Sequence, residues 1–252
     1  ASAQLSPPGL GEAKTAYWMA LGARQGLGTK GRWESMSHMG FGSVSQPDNY
    51  NLFEKPAILV LNQEFYDSFR KDLAYSFALS LRRQHLYEDG PPFEEAAPSA
   101  RIEFRVYGRL LHTLQWGDVQ FENALRPEIR TFYPRTTGEE ALQFRLRFRQ
   151  KVAWAIDSAK VHRIIGSAEV LGSMERARGG TFGRFAYRES RFCVYYGFSP
   201  DNLAWSFDFG YMNNLIGNER PLVDVHYLVL DAIWKNPLGK PPIADSHIGT
   251  LH

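Results

Sequence analysis

Arg101-Ile102-Glu103-Phe104-Arg105-Val106, continuing to Arg109-Leu110, alternates a charged side chain with a large apolar one at nearly every step. The same pattern returns twice. Asp118, Gln120, Glu122, Arg126, Glu128 and Arg130 interleave with Val119, Phe121, Leu125 and Ile129. Arg145, Arg147, Arg149 and Lys151 then interleave with Phe144, Leu146, Phe148 and Val152. Successive side chains on a β-strand point to opposite faces, so each segment has one apolar face and one ionic face. An ordinary half-buried strand shows its charges to water and covers its Phe and Leu with a second layer. Three consecutive strands carrying an Arg/Glu ladder instead suit a closed barrel, with the ladder lining the lumen and the apolar face meeting lipid.

Composition agrees with this reading. A chain of 252 residues is an ordinary length for one all-β barrel. Apolar residues make up 44% and charged residues 22%, which excludes both a disordered chain and a bundle of membrane helices. No apolar run approaches the roughly 18 residues that a spanning helix needs. Aromatic residues reach 14%, enough to furnish the girdles that membrane barrels carry at both interfaces. A formal net charge of +2, spread along alternating strands, excludes a nucleic-acid partner. The single cysteine, Cys193, excludes an internal disulfide, sits on a strand and reads as an inert, half-buried thiol. The opening Ala1-Ser2-Ala3 resembles the residues beside a secretory cleavage site, so the expectation is a mature chain exported after removal of a signal peptide.

Strand-like segments follow one another at 15–26, 31–45, 57–67, 73–86, 101–113, 118–131, 141–156, 162–175, 187–198, 203–214 and 222–234. Short turns at 70–72, 116–118, 157–160 and 199–202 alternate with longer Pro- or Gly-rich loops at 45–56, 84–100, 132–140, 176–186 and 215–221. This asymmetry matches periplasmic turns and extracellular loops. The expected fold is therefore all-β: an antiparallel up-and-down transmembrane barrel of about 10–12 strands, with twelve preferred because single-chain bacterial barrels have even counts. Residues 1–14 are expected to be an irregular leader, 15–234 the barrel, and 235–252 an extended periplasmic tail rich in Pro and Gly near its start.

The segments also resemble a known family. Tyr17-Trp18, the element Phe121-Glu122-Asn123-Ala124-Leu125-Arg126-Pro127-Glu128-Ile129-Arg130, the strand Phe144-Arg145-Leu146-Arg147-Phe148-Arg149, and Gly210-Tyr211-Met212-Asn213-Asn214 are similar to a family of small Gram-negative outer-membrane β-barrels classed as a domain of unknown function. The resemblance covers about residues 15–234. It implies the fold and an outer-membrane location, and it supplies no activity. The tail beyond residue 234 departs from the usual barrel, which ends on its last strand.

Residues able to carry chemistry are few. Ser35, Ser37 and His38 share one strand, but Ser37 and His38 are adjacent and so point to opposite faces. Asp245-Ser246-His247 falls in the tail, away from a rigid scaffold. Neither arrangement makes a nucleophile, base and orienter converge, and His112 and His226 read as structural. No catalytic residue, metal site or cofactor is therefore expected. The candidate functional wall is the ladder: Arg101, Glu103, Arg105, Arg109, Glu122, Arg126, Glu128, Arg130, Arg145, Arg147 and Arg149. Basic residues outnumber acidic ones along it, and Pro127 in its midst suggests a bulge or bend. The functional expectation is a non-enzymatic, membrane-embedded subunit or scaffold of an envelope assembly with a plugged, Arg/Glu-lined lumen. Its partners would be outer-membrane lipid and lipopolysaccharide, with envelope proteins reached through loops and tail. Two alternatives stand: a narrow anion-favouring pore, and a lipid-acting hydrolase.

Overall fold

A computed structural model describes residues 13–28, 32–88, 90–134, 142–176, 180–217 and 223–239. Among them the chain is all β-strand, in the order β1 (Thr15–Leu27), β2 (Trp33–Val44), β3 (Lys55–Asp67), β4 (Leu73–Tyr87), β5 (Glu95–Trp116), β6 (Val119–Tyr133), β7 (Leu142–Ala155), β8 (His162–Arg176), β9 (Ala186–Phe198), β10 (Trp205–Ile216) and β11 (Val223–Lys235). Each strand pairs with its sequence neighbours, and β1 meets β11 to close the barrel. The period-2 patterning thus becomes a continuous ladder without a free edge, the state that leaves no backbone donors and acceptors unpaired.

The described strands number eleven, within the expected range but odd. Parity decides the closure. Strands that alternate in direction return to the starting direction after an odd number, so the first and last strands run the same way. The β1/β11 seam is accordingly parallel, in register from Thr15 opposite His226 to Arg24 opposite Lys235. Every other pair is antiparallel. The odd count also places the start of β1 at the rim of the long loops and the end of β11 at the rim of the short turns.

Two local expectations are corrected. The segment 84–100, read from its prolines as one long loop, is largely strand: β4 continues to Tyr87 and β5 begins at Glu95. Tyr87 pairs with Glu95 across a bulge at His85. Because β6 pairs with β5 only from Ile102 onward, residues 95–101 form a two-stranded extension standing beyond the rim. Pro127 produces no bulge. Pairing of β5 with β6 lapses at Gly108 and Arg109, opposite Pro127 and Arg126, then resumes in unchanged register at Leu110 and Leu125. A missing N–H removes a ladder bond without requiring an inserted residue.

The short-turn rim is pinned by local hydrogen bonds. In the β7–β8 turn the Asp157 carboxylate accepts from the backbone N–H of His162 at 2.7 Å and of Val161 at 3.1 Å. The His162 N–H foremost, then burial opposing it and the Val161 N–H, leave this carboxyl below the usual carboxylate range. A depressed folded pKa contributes stability above the unfolded value, and that contribution disappears as pH falls through the folded value. Asp157→Asn should therefore flatten the acid limb of the stability profile below about pH 4 while leaving neutral-pH folding in place, as measured by acid titration of unfolding. An unchanged acid limb would remove Asp157 from the acid response.

At the same rim the first tail residues fold back on β1. Gly26 N–H donates to Asn236 Oδ1 at 3.2 Å, and Leu238 N–H donates to Gln25 Oε1 at 3.0 Å. The proposed tail therefore starts as a docked turn. Residues 1–12 of the expected leader and 240–252 of the expected tail, including Asp245, Ser246 and His247, lie outside the described residues.

The two faces of the wall are sharply different. Outside, Leu79, Phe104, Leu125, Phe148, Val170 and Phe209 are exposed at the height of the barrel's middle. Five of the six tryptophans, Trp33, Trp116, Trp154, Trp205 and Trp234, sit at the short-turn rim, where Trp205 stacks on Trp234 at 5.6 Å. The long-loop rim carries Tyr17 against Phe53 (4.9 Å), together with Tyr133 and Tyr187. Inside, β9–β11 and β1–β3 supply an apolar sector containing Trp18, Val60, Tyr195, Met212, Val225, Tyr227 and Val229. Cys193 lies half-buried against it. Gly40 is a requirement of this sector, because any Cβ there would collide with the Trp18 indole.

Candidate functional site

The opposite sector of the lumen, on β4–β9, is ionic. Its centre is Glu128, fully buried, which lies within ion-pair distance of Arg126 (3.0 Å), Arg105 (3.2 Å), Arg147 (3.4 Å) and Arg145 (3.7 Å). Arg105 reaches the other way to Glu103 through Nε at 2.7 Å, and Arg130 joins Glu103 at 3.0 Å. Arg147 continues to Glu169 at 2.8 Å, and Arg191 links Glu169 (3.4 Å) to Glu189 (2.7 Å). Separately, Arg149 and Lys151 converge on Glu122 at 2.8 and 3.4 Å. Arg109 meets Glu64 at 3.3 Å, and Glu64 also accepts from Tyr107 Oη at 2.9 Å and from Ser76. Stacking adds to the charge pairing: Arg126 lies 3.6 Å over the Tyr107 ring, and Arg101 and Arg130 clasp Phe132 at 4.6 and 4.7 Å. Taking such charges out of water is costly, and the network persists because nearly every member finds an opposite charge in geometry suited to Arg forks.

The structure brings the eleven ladder residues named from the sequence onto the inner side of β5, β6 and β7. Glu103, Arg105, Arg109, Glu122, Arg126, Glu128, Arg147 and Arg149 are buried, while Arg101, Arg130 and Arg145 are partly covered toward the long-loop rim. Sequence reasoning missed their partners. Glu64 on β3, Arg82 on β4, Glu169 on β8, and Glu189 and Arg191 on β9 complete the network, and Asp208 and Asp231 are buried on the inner faces of β10 and β11. A signal for them existed in the two-residue spacing: Glu189 and Arg191 alternate with Ser190 and Phe192, and Asn62 and Glu64 alternate with Leu61 and Phe65.

Among the described residues, those weighed for nucleophilic chemistry do not meet. Ser35 and Ser37 face outward and bond Gln63, whereas His38 is buried inside over Gly22. His112 is outward, 3.9 Å from Asp72. His226 is also outward at the long-loop rim, with Nδ1 2.6 Å from the Tyr211 hydroxyl and Nε2 3.7 Å from Asp224. A similar pair, His162 with Tyr196 at 2.5 Å, occupies the opposite rim. Matching pairs at both ends suit the polar tips of aromatic girdles. Among the described residues no group of three or more His, Cys, Asp or Glu side chains is placed to hold a metal ion.

A family model described as "Protein of unknown function (DUF2490)" matches residues 15–223, the whole barrel short of its last strand. The chain belongs to this family. No curated protein and no solved structure matches this DUF2490 protein. The family description names no function, so the chemistry of the DUF2490 barrel is read from its own side chains.

Proposed function

We propose that this DUF2490 protein is an outer-membrane barrel that conducts nothing and serves as a membrane-embedded subunit of an envelope assembly. The observation that carries this reading is the burial of side chains on the inner faces of the strands. Trp18, Met36, Val60, Glu64, Arg105, Glu128, Ile165, Leu171, Arg191, Met212, Val225 and Tyr227, contributed by nine strands, are each under 2% exposed. A pore lined by Arg and Glu would leave those side chains wet. The exposed apolar wall between two aromatic rims supports placement in a bilayer, in contact with outer-membrane lipid and lipopolysaccharide. The extension at 95–101, standing beyond the rim, is the described part placed to meet an envelope partner.

Two measurements test the reading together. Purified protein should partition into detergent, migrate as a heat-modifiable band and give no steady current in a planar bilayer; a stable single-channel current would replace the scaffold with the anion-favouring pore. Isolation from native membranes should recover an envelope protein in fixed proportion, and removing residues 240–252 or replacing 88–99 by a short turn should reduce that recovery with the barrel still assembled. Recovery of the barrel with no partner would sink the scaffold role.

A further inference from the structure

We infer that the long-loop half of the lumen holds an oxyanion-binding site formed by Arg82 and Arg145 beside Arg105 and Arg130. Charges in this part of the lumen do not balance. Two carboxylates, Glu103 and Glu128, are shared by six guanidiniums: Arg82, Arg105, Arg126, Arg130, Arg145 and Arg147. Arg147 is relieved by Glu169, and Arg105, Arg126 and Arg130 each hold a carboxylate oxygen at hydrogen-bond distance. Arg82 and Arg145 do not. Arg82 comes no nearer than 3.9 Å to Glu103, and Arg145 lies 3.7 Å from Glu128 and 3.6 Å from Glu189, all beyond a hydrogen bond. The Nε of each is buried without a hydrogen-bond partner.

Such an arrangement is costly unless something negative completes it. A buried guanidinium without a hydrogen-bonded carboxylate carries a desolvation cost that neighbouring cations increase. The two arginines flank one chain, since Arg105 bridges Glu103 and Glu128 while Arg82 approaches the first and Arg145 the second. Their free N–H groups are donors only, and a planar fork accepts two oxygens of one group better than it accepts a halide. The complement is therefore a phosphate or carboxylate group.

Access runs from the long-loop mouth. Arg130 and Arg145 sit near the long-loop ends of β6 and β7 with side chains 16% and 12% exposed, whereas Glu128 and Arg105 below them are at 0% and 1%. Water and a small anion can thus reach the site from that rim, while the filled middle of the barrel stops passage. The site is a dead end that binds without conducting. It depends on the barrel alone and not on the membrane placement or the partners proposed above.

The test uses full-length protein refolded in a zwitterionic detergent, with inorganic phosphate as probe and chloride at equal ionic strength as control. Phosphate should raise the melting temperature with the logarithmic concentration dependence of single-site binding, by about 3–6 °C at roughly ten times its dissociation constant, and chloride should not. Phosphorus NMR of the wild-type protein should show matching saturable line broadening. R82Q and R145Q should abolish the phosphate response and melt at or above wild type in phosphate-free buffer, because each removes a buried charge that no carboxylate meets at hydrogen-bond distance. Arg145→Lys, which keeps the charge and loses the fork, should fold and bind more weakly. The site is overturned if phosphate and chloride act alike, if R82Q and R145Q respond as wild type does, or if only anionic phospholipid vesicles stabilise the protein, since that would assign the anion preference to the outer surface.

Discussion

Glu128→Gln should destabilise the barrel by at least about 3–5 kcal/mol, the cost of breaking a buried ion pair by removing one partner. The expected effect is at the upper end because this carboxylate, fully buried, faces Arg105, Arg126, Arg145 and Arg147 together. Glutamine keeps the shape and one acceptor oxygen, so the loss measures charge and not volume. Arg147→Gln should behave similarly, leaving Glu169 and Glu128 each short of a donor. Glu175→Gln is the contrast. It pairs with Arg188 at 2.8 Å where both are partly exposed, and it should cost only about 0–1 kcal/mol. Denaturant unfolding in detergent reads all three. If Glu128→Gln fails to assemble, the double change Glu128→Gln with Arg126→Gln should restore assembly, because among the described residues Glu128 is the one carboxylate that pairs with Arg126. A Glu128→Gln protein within about 0.5 kcal/mol of wild type would mean the lumen is wet and the network unimportant.

Phe148→Arg should cost about 2–4 kcal/mol in a bilayer, and Ile156→Arg no more than about 1 kcal/mol. Phe148 lies at mid-height on β7, outward, with Leu125 and Val170 beside it on the neighbouring strands. Ile156 is outward just past the end of the same strand at the short-turn rim. Arginine at the middle must either desolvate or drag water to it, whereas at the rim it reaches headgroups. The depth dependence is the informative quantity. In water both sites are exposed surface, where substitutions generally change stability by less than about 0.5 kcal/mol, so equal and small effects in folding into lipid vesicles would overturn the membrane placement.

The strands were legible from local chemistry. Alternation with period 2 names the face of each side chain without knowledge of its neighbours, which is why Phe104 and Phe148 were readable as outward and Arg105 and Arg147 as inward. Turn chemistry was equally local: Gly117, at a positive φ of 56°, makes the two-residue connection between β5 and β6. Residues 95–100 escaped because Pro91, Pro92 and Pro98 speak for a loop and only pairing with β4 makes the segment a strand.

What the tertiary structure decided is what depends on closing the ring. Residue patterning names the face of a side chain and not the partner that a long arginine reaches, so the matches of Arg109 with Glu64 two strands away on β3, and of Arg147 with Glu169 on the adjacent β8, were not visible in the ladder segments. The sequence by itself determined that each wall segment has an ionic and an apolar face, because side-chain direction follows from two backbone dihedrals per residue. Only the closed barrel decided the parallel β1/β11 seam and which arginines find a carboxylate. Strand direction at closure is a property of all eleven described strands at once, and charge pairing is a property of how side chains from two or three neighbouring strands pack together.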